Sequence, residues 1–246
     1  YNNPITQRNL EGLRSLGYHI MDPVEGWLAC GITGIGRLPE PEAIVDWLES
    51  KMCSTNELEG TTMLVTAGGT QESIDPVRYI GNRSSGKMGY AIAEQAVRMG
   101  AKVILVSAPT SLPIPSGVDF ISVDSAVSMQ ESVEARYNDV NVVIMAAAVS
   151  DFRVLHKAEQ KIKKMESMTI ELVKNPDILQ GLGSKKNHQI LVGFAAETEH
   201  VIKYGQDKVA RKNLDMLVAN DVSKSNAGFN VDTNEGYFLY PDKEPK

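Results

Sequence analysis

Thr66-Ala-Gly-Gly-Thr-Gln-Glu72 and Gly81-Asn-Arg-Ser-Ser-Gly-Lys-Met-Gly89 bring glycines, hydroxyls and an amide side chain close together in the chain. Glycine lets backbone N–H groups approach an anion, and the positive end of a following helix favours negative charge there. A phosphate cradle on Gly68, Gly69 and Ser84 is therefore expected. Gly81 to Lys87 spells G-x-x-x-x-G-K, but Met88 stands where a P-loop needs Ser or Thr to hold magnesium, which argues against a Walker NTPase. A dinucleotide fold would place G-x-G-x-x-G directly after its strand, whereas here the polar stretch 70–83 separates Gly68-Gly69 from Ser84-Ser85-Gly86. The expectation is a Rossmann-like architecture holding a ligand other than a dinucleotide.

Such a cradle needs a strand before it and a helix after it. The apolar run Met63-Leu-Val-Thr66 supplies the first, and Ala91, Ile92, Ala93, Ala96, Val97 and Met99 fall on one helical face. From Thr61 onward strand and helix patterns alternate, which predicts an α/β fold with a mainly parallel sheet and helices on both faces. Strands are expected at 62–67, 102–107, 118–123, 140–147, 189–195 and 215–219, and helices at 84–100, 125–138, 176–184 and 199–213. Gly236-Tyr-Phe-Leu-Tyr240 reads as a further strand whose direction the pattern leaves open. Ligands of such sheets lie beyond the carboxyl ends of the strands, which singles out Gly68-Gly69, Ala147 to Asp151, Phe194 to Glu197 and Asn220-Asp221. Stretch 161–169 breaks the rhythm and is expected as an excursion over that edge.

Residues 1–50 read as a helix around 6–16, a short strand at 18–21, a glycine-rich loop at 26–37 and a helix opened by Pro39-Glu-Pro41. They offer too little for a core of their own and are expected to be the tail of a larger domain. Residues 51–60 read as a linker and 61–246 as the main domain. With 246 residues, 42% hydrophobic, the chain can bury a sizeable core. Its net charge of −6 disfavours nucleic acid as a partner, although Lys161, Lys163, Lys164, Lys208, Arg211 and Lys212 are local exceptions. No apolar run approaches the ~18 residues of a membrane span, and the chain is expected in the cytoplasm with Cys30 and Cys53 as reduced thiols.

Thr66-Ala-Gly-Gly-Thr, Asp75-Pro-Val-Arg-Tyr-Ile, Asn82-Arg-Ser-Ser-Gly-Lys-Met-Gly, Ala146-Ala-Ala-Val-Ser-Asp-Phe, Lys161-Ile-Lys-Lys, Lys174-Asn-Pro-Asp-Ile, Gly193-Phe-Ala-Ala-Glu-Thr and Arg211-Lys-Asn-Leu-Asp together resemble phosphopantothenoylcysteine synthetase. Residues 1–50, with Asn3-Pro4, Thr6-Gln-Arg-Asn-Leu and Ala29-Cys-Gly, resemble the end of the matching flavoprotein decarboxylase, so the whole resembles a piece of the bacterial bifunctional coenzyme A protein. The resemblance implies a ligase that activates 4′-phosphopantothenate with CTP, forming an acyl-cytidylate that L-cysteine then attacks. It implies magnesium bridging the phosphates, a homodimer, and FMN in the upstream decarboxylase part.

Residue by residue, the resemblance makes Lys161, Lys208 and Lys212 nucleotide contacts and places Asp151 near the ribose. It sets Met145, Ala146, Ala147 and Phe194 around the base and Asn175, Pro176, Asp177 and Ile178 beside the nucleotide. Asn82 would contact the pantothenate moiety and the acyl-cytidylate, with Arg78 a second anchor for an anionic substrate group. Cys30 would be the proton donor of the decarboxylase, on a mobile flap. Each has a plain structural alternative: solvated lysines, a capping Asp151, sheet core at Met145 and Phe194, an N-cap at Asn175, a turn at Asn82 and a surface ion pair at Arg78. A rival reading rests on Tyr204-Gly-Gln-Asp-Lys208, the Y-x-x-x-K of short-chain NAD(P)-dependent dehydrogenases. A third, a non-catalytic nucleotide-binding scaffold, has little use for Lys161.

Overall fold

The computed structural model describes residues 1–52, 55–197, 199–221 and 235–246. Cys53, expected in the linker, lies outside them. The chain divides into two compact units, Tyr1–Ser54 and Thr55–Lys246.

In the first unit, α1 (Pro4–Ser15) starts where the Asn3 side chain accepts from the Ile5 amide at 2.9 Å, with proline at the first helical position. None of its residues is buried. The strand expected at 18–21 does not form. Pairing settles instead on β1 (Val24–Trp27) and β2 (Thr33–Arg37), an antiparallel hairpin in which Gly26 faces Gly34. The expected loop at 26–37 is thus mostly strand, because cross-strand pairing outweighs the poor strand propensity of its glycines. Cys30 is exposed in the connecting turn, where the Leu28 amide donates to the Ile32 carbonyl at 2.9 Å. Helix α2 (Pro41–Met52) follows.

The second unit opens on residues that stitch themselves to its body: the Thr55 amide donates to the Arg98 carbonyl and the Leu58 amide to that of Met99. Its elements in order are β3 (Thr62–Ala67), β4 (Gln71–Ser73), β5 (Tyr79–Gly81), α3 (Lys87–Arg98), β6 (Lys102–Ser107), β7 (Val118–Ser122), α4 (Ala126–Glu134), β8 (Val142–Met145), β9 (Phe152–Val154), β10 (Leu172–Lys174), α5 (Ile178–Lys185), β11 (Ile190–Glu197), α6 (Val201–Arg211), β12 (Met216–Asp221) and β13 (Gly236–Leu239). The central sheet runs β13-β12-β11-β8-β3-β6-β7, parallel throughout except for β13, which is antiparallel to β12. Its parallel part has the doubly wound order, with the winding reversing between β3 and β8.

Alternation along β3 builds both faces of the core. Leu64 joins Met129 and Val133 of α4, Leu182 of α5 and Val209 of α6, whereas Met63, Val65 and Ala67 pack against Tyr90, Ala93 and Ala96 of α3. Helix α3 lies close because of Gly89, where a Cβ would sit 2.6 Å from the Ala67 Cβ. Two short antiparallel ribbons, β4-β5 and β9-β10, rise from the carboxyl edge of the sheet. The excursion expected at 161–169 is the irregular top of the second.

Candidate active site

The cradle after β3 is shaped by positions that reject side chains. Gly68 has φ +79° and its Cβ would meet the Ala108 carbonyl oxygen at 2.6 Å. Gly86, at the start of α3, also has φ +79°, and a Cβ there would meet Thr110 Cγ2 at 2.6 Å. A Cβ on Gly69 would touch the Asn82 carbonyl oxygen at 2.9 Å, so the two halves of the motif lie against each other. Between them opens a groove of about 560 Å³, lined among others by Gly69, Asn82, Ser84, Ser85 and Thr110. Its lining is mainly hydroxyl, amide and backbone, with Tyr79 and Pro109 the bulkier members and no charged side chain among the described residues. Such a surface at the start of a helix suits a polyanion whose countercharges come from elsewhere.

Hydrogen bonds lace this loop to the end of β8. The Ala148 amide donates to the Gly68 carbonyl at 2.8 Å, the Thr70 amide to the Ala148 carbonyl at 3.1 Å, and the Ser150 amide to Thr70 Oγ1 at 2.9 Å. Thr66 Oγ1 accepts from the Ala147 amide at 3.1 Å. Ala146 and Ala147 are thereby fixed at the switch point, and Met145 is core. Phe194, half-buried, lies on β11 one residue past Gly193, which pairs with Met145. Ser150 Oγ is buried with no hydrogen-bond partner among the described residues, and groups of that kind call for a reason.

The turn before α5 differs from expectation in its cap. Asp177, not Asn175, is the N-cap, its carboxylate accepting from the Gln180 amide at 3.0 Å. Asn175 is buried and already engaged: its Nδ2 donates to the Ser150 carbonyl at 2.8 Å, and its own amide donates to the Asp151 carbonyl at 2.7 Å. Asp151, Asn175 and Asp177 are so held together. Lys212 reaches Asp177 at 2.9 Å, one helical turn after Lys208. Burial pushes the Asp177 carboxyl up, but the Lys212 ammonium and the Gln180 amide outweigh it and hold it below the ordinary range.

Arg78 and the lysine arm meet at Asp75. Arg78 donates to Asp75 Oδ2 through Nε (3.0 Å) and Nη2 (2.5 Å), so it sits in an ion pair whose acidic side chain is wholly buried. The Asp75 carboxylate also accepts from the amides of Val77, Arg78 and Ile162. Lys161, Lys163 and Lys164 are exposed around that anchored Ile162. Sequence reasoning quoted Asp75 within a motif without giving it a role; the signal was a lone acid next to an X-Pro turn and three residues before an arginine. The Arg78 guanidinium, helped by these amides and opposed by burial, holds the Asp75 carboxyl well below the usual carboxylate range. A folded-state value lowered in this way stabilises the fold above the ordinary carboxylate range, and that contribution is lost only as pH falls through the lowered value. Hydrogen exchange should find the Ile162 amide as protected at pH 4 as at pH 7, once intrinsic rates are corrected.

Tyr204 and Lys208 do not line the groove; Tyr204 stands edge-on to His200, ring centroids 5.7 Å apart. Cys30 belongs to the first unit. Among the described residues no group of three or more His, Cys, Asp or Glu side chains could hold a metal ion.

A doubly wound sheet with a glycine-rich turn at its switch point defines an α/β protein of Rossmann-like class. The chain belongs to the family of the DNA/pantothenate metabolism flavoprotein C-terminal domain, whose model matches residues 58–246, and residues 1–53 match the flavoprotein family model. It is similar to the coenzyme A biosynthesis bifunctional protein CoaBC of Bacillus subtilis (strain 168), 50% identical over 246 residues, covering 98% of this chain and 61% of that protein. The Escherichia coli (strain K12) protein of the same name is 46% identical over 247 residues, again with 61% of its length covered. Among solved structures, the C-terminal domain of a CoaBC protein superposes with a TM-score of 0.67 at 45% identity, covering 78% of this chain and 87% of that one. None of these findings supports the dehydrogenase reading.

Proposed function

We propose that the second unit is a ligase of coenzyme A biosynthesis that joins 4′-phosphopantothenate to L-cysteine at the expense of CTP. The observation that carries this reading is the uncharged cradle at the switch point, Gly68, Gly69, Ser84 and Gly86, with a lysine arm rooted on the neighbouring ribbon. The relatives named for coenzyme A biosynthesis supply the pathway. In the first half-reaction a carboxylate oxygen of phosphopantothenate attacks the α-phosphorus of CTP; the bond to the β-phosphate oxygen breaks and pyrophosphate leaves. Two anions must meet for this, so cations that act on the charge growing on pyrophosphate lower the barrier. Lys161 takes that part, Lys208 and Lys212 bind the nucleotide, and Met145 to Ala147, Asp151, the turn 175–178 and Phe194 surround its base and ribose. Magnesium, which keeps most of its oxygens from water and phosphates, would ride on the triphosphate and needs no dedicated acidic cage.

In the second half-reaction the amine of cysteine attacks the acyl carbon, CMP departs and the amine proton is released. Asn82, a neutral amide that can donate and accept, holds the intermediate. Asn82→Asp should therefore slow consumption of the acyl-cytidylate more than its formation, seen as intermediate accumulating in a quenched assay. The protein would act as a homodimer: Val77, Tyr79, Phe152, Leu155 and Leu172 expose apolar surface on the two ribbons. Its place is the cytoplasm; no described helix is long and apolar enough to cross a membrane. Decarboxylation, with Cys30 as proton donor and FMN as cofactor, would belong to the longer protein. Pyrophosphate release measured with each of the four nucleotides and phosphopantothenate tests the reading: release with CTP is expected, and release with none contradicts it.

A further inference from the structure

We propose that Asp75 is a positioning residue for the lysine arm, its buried carboxylate fixing the Ile162 peptide and hence the backbone that carries Lys161 on one side and Lys163 on the other. The inference rests on the ligase reading above and adds to it the device that places the cation. Ile162 is gripped at both of its backbone groups. Its amide donates to Asp75 Oδ2 at 3.1 Å, and its carbonyl accepts from Arg78 Nη2 at 3.2 Å. Asp75 and Arg78 are bonded to each other, so the grip is a closed ring of charge-assisted hydrogen bonds.

Two further stitches flank it. The Ala158 amide donates to the Ile74 carbonyl and the Leu155 amide to the Glu171 carbonyl, both at 2.9 Å. The arm is therefore fastened at 155, 158 and 162, and only 163–170 continues without regular structure or such a fastening. A lysine that neutralises a leaving pyrophosphate must be delivered to within about an ångström, since a misplacement of that size can cost ~100-fold. A fully exposed ion pair would give little such control. Here the acid is sealed from water: its side chain has 0% exposure, while that of Arg78 has 41%. Removing one partner leaves buried groups unpaired. Asp75 has no part in the chemistry itself; it acts through the arm.

The test uses the full chain, CTP, phosphopantothenate and L-cysteine, with steady-state pyrophosphate release as the readout. Asp75→Asn should lower kcat by ~100-fold while moving the KM for CTP much less. Placed in a Lys161→Gln background it should cost nothing more, because the residue it positions is already gone. Asp75→Glu should recover part of the loss. Hydrogen exchange should show the Ile162 amide released in Asp75→Asn while the amides of Leu64 and Val65 stay protected. Ile162→Pro, which removes the gripped N–H and leaves the buried ion pair intact, should reproduce the loss should Asp75→Asn prove too unstable to assay. Equal fold losses in both backgrounds, or wild-type turnover by Ile162→Pro, would overturn the assignment to Asp75 alone. A wild-type chain that releases no pyrophosphate would overturn the ligase reading instead.

Discussion

Lys161→Gln is expected to reduce pyrophosphate release by ~10²–10³-fold, the scale seen when one preorganised charge-stabilising group is removed from an active site. The groove beside α3 contributes no charged side chain among the described residues, so the proposed ligase needs positive charge brought to its phosphates from elsewhere. Lys212 is already bonded to Asp177. Beside Lys208 and Lys212, the sequence points to the arm as a source of charge, and Lys161 lies next to its anchored Ile162. One unit charge at about 4 Å is worth ~4 kcal/mol at an effective dielectric of 20, enough for a loss of roughly 10³-fold. Because Lys161 is exposed, the variant should melt within about 1 °C of wild type, consistent with the small effect of surface substitutions. Gln stays polar and is one atom shorter than Lys, so the loss reports chiefly the charge. A scaffold that merely holds a nucleotide would show binding weakened slightly and nothing else.

Gly68→Ala should damage both fold and site. At φ +79° an L-residue costs ~1–2 kcal/mol, and forcing a Cβ to 2.6 Å from the Ala108 carbonyl oxygen adds a further ~1–3 kcal/mol of overpacking. The carbonyl of Gly68 also accepts the Ala148 amide, so any shift that relieves the clash pulls β3 away from the end of β8. Calorimetry should find the melting temperature lowered by roughly 10 °C, and surviving folded protein should bind CTP poorly. Gly181→Ala is the control. Nothing lies within 4 Å of a Cβ there, and it sits inside α5, so the change should be neutral or stabilise by up to about 1 kcal/mol.

The parallel sheet was legible because its strands are long apolar runs and its helices show one apolar face. Leu64 and Val65 pack on opposite sides of β3, as a period of two requires. The tight turn after β3 was legible for a related reason, since glycines clustered between a strand and a helix mark close backbone approach, as at Gly68 and Gly86. What stayed hidden is built from short pieces. Strands β4, β5, β9 and β10 span three residues each, too few for any periodicity, and their pairing comes from tertiary contacts. In the first unit the strand expected at 18–21 failed because hairpin pairing chose 24–27 and 33–37 instead.

At the site, the cap before α5 was misread at Asn175 because Asn and Asp two residues apart are equally good N-caps, and only burial shows that Asn175 is spent on Ser150. Asp75 was passed over for a similar reason. Its partners Arg78 and Ile162 include a backbone amide 87 residues away, and no spacing rule reaches that far.

The central claim is that a triphosphate rests on the cradle while the fastened arm neutralises it. A crystal structure of the chain with CTP and magnesium tests it most directly. The account predicts phosphate oxygens against the backbone of Gly69, Ser84 and the first turn of α3, with Lys161 Nζ bonded to them. A nucleotide found elsewhere on the protein, with Lys161 turned into solvent, would contradict it.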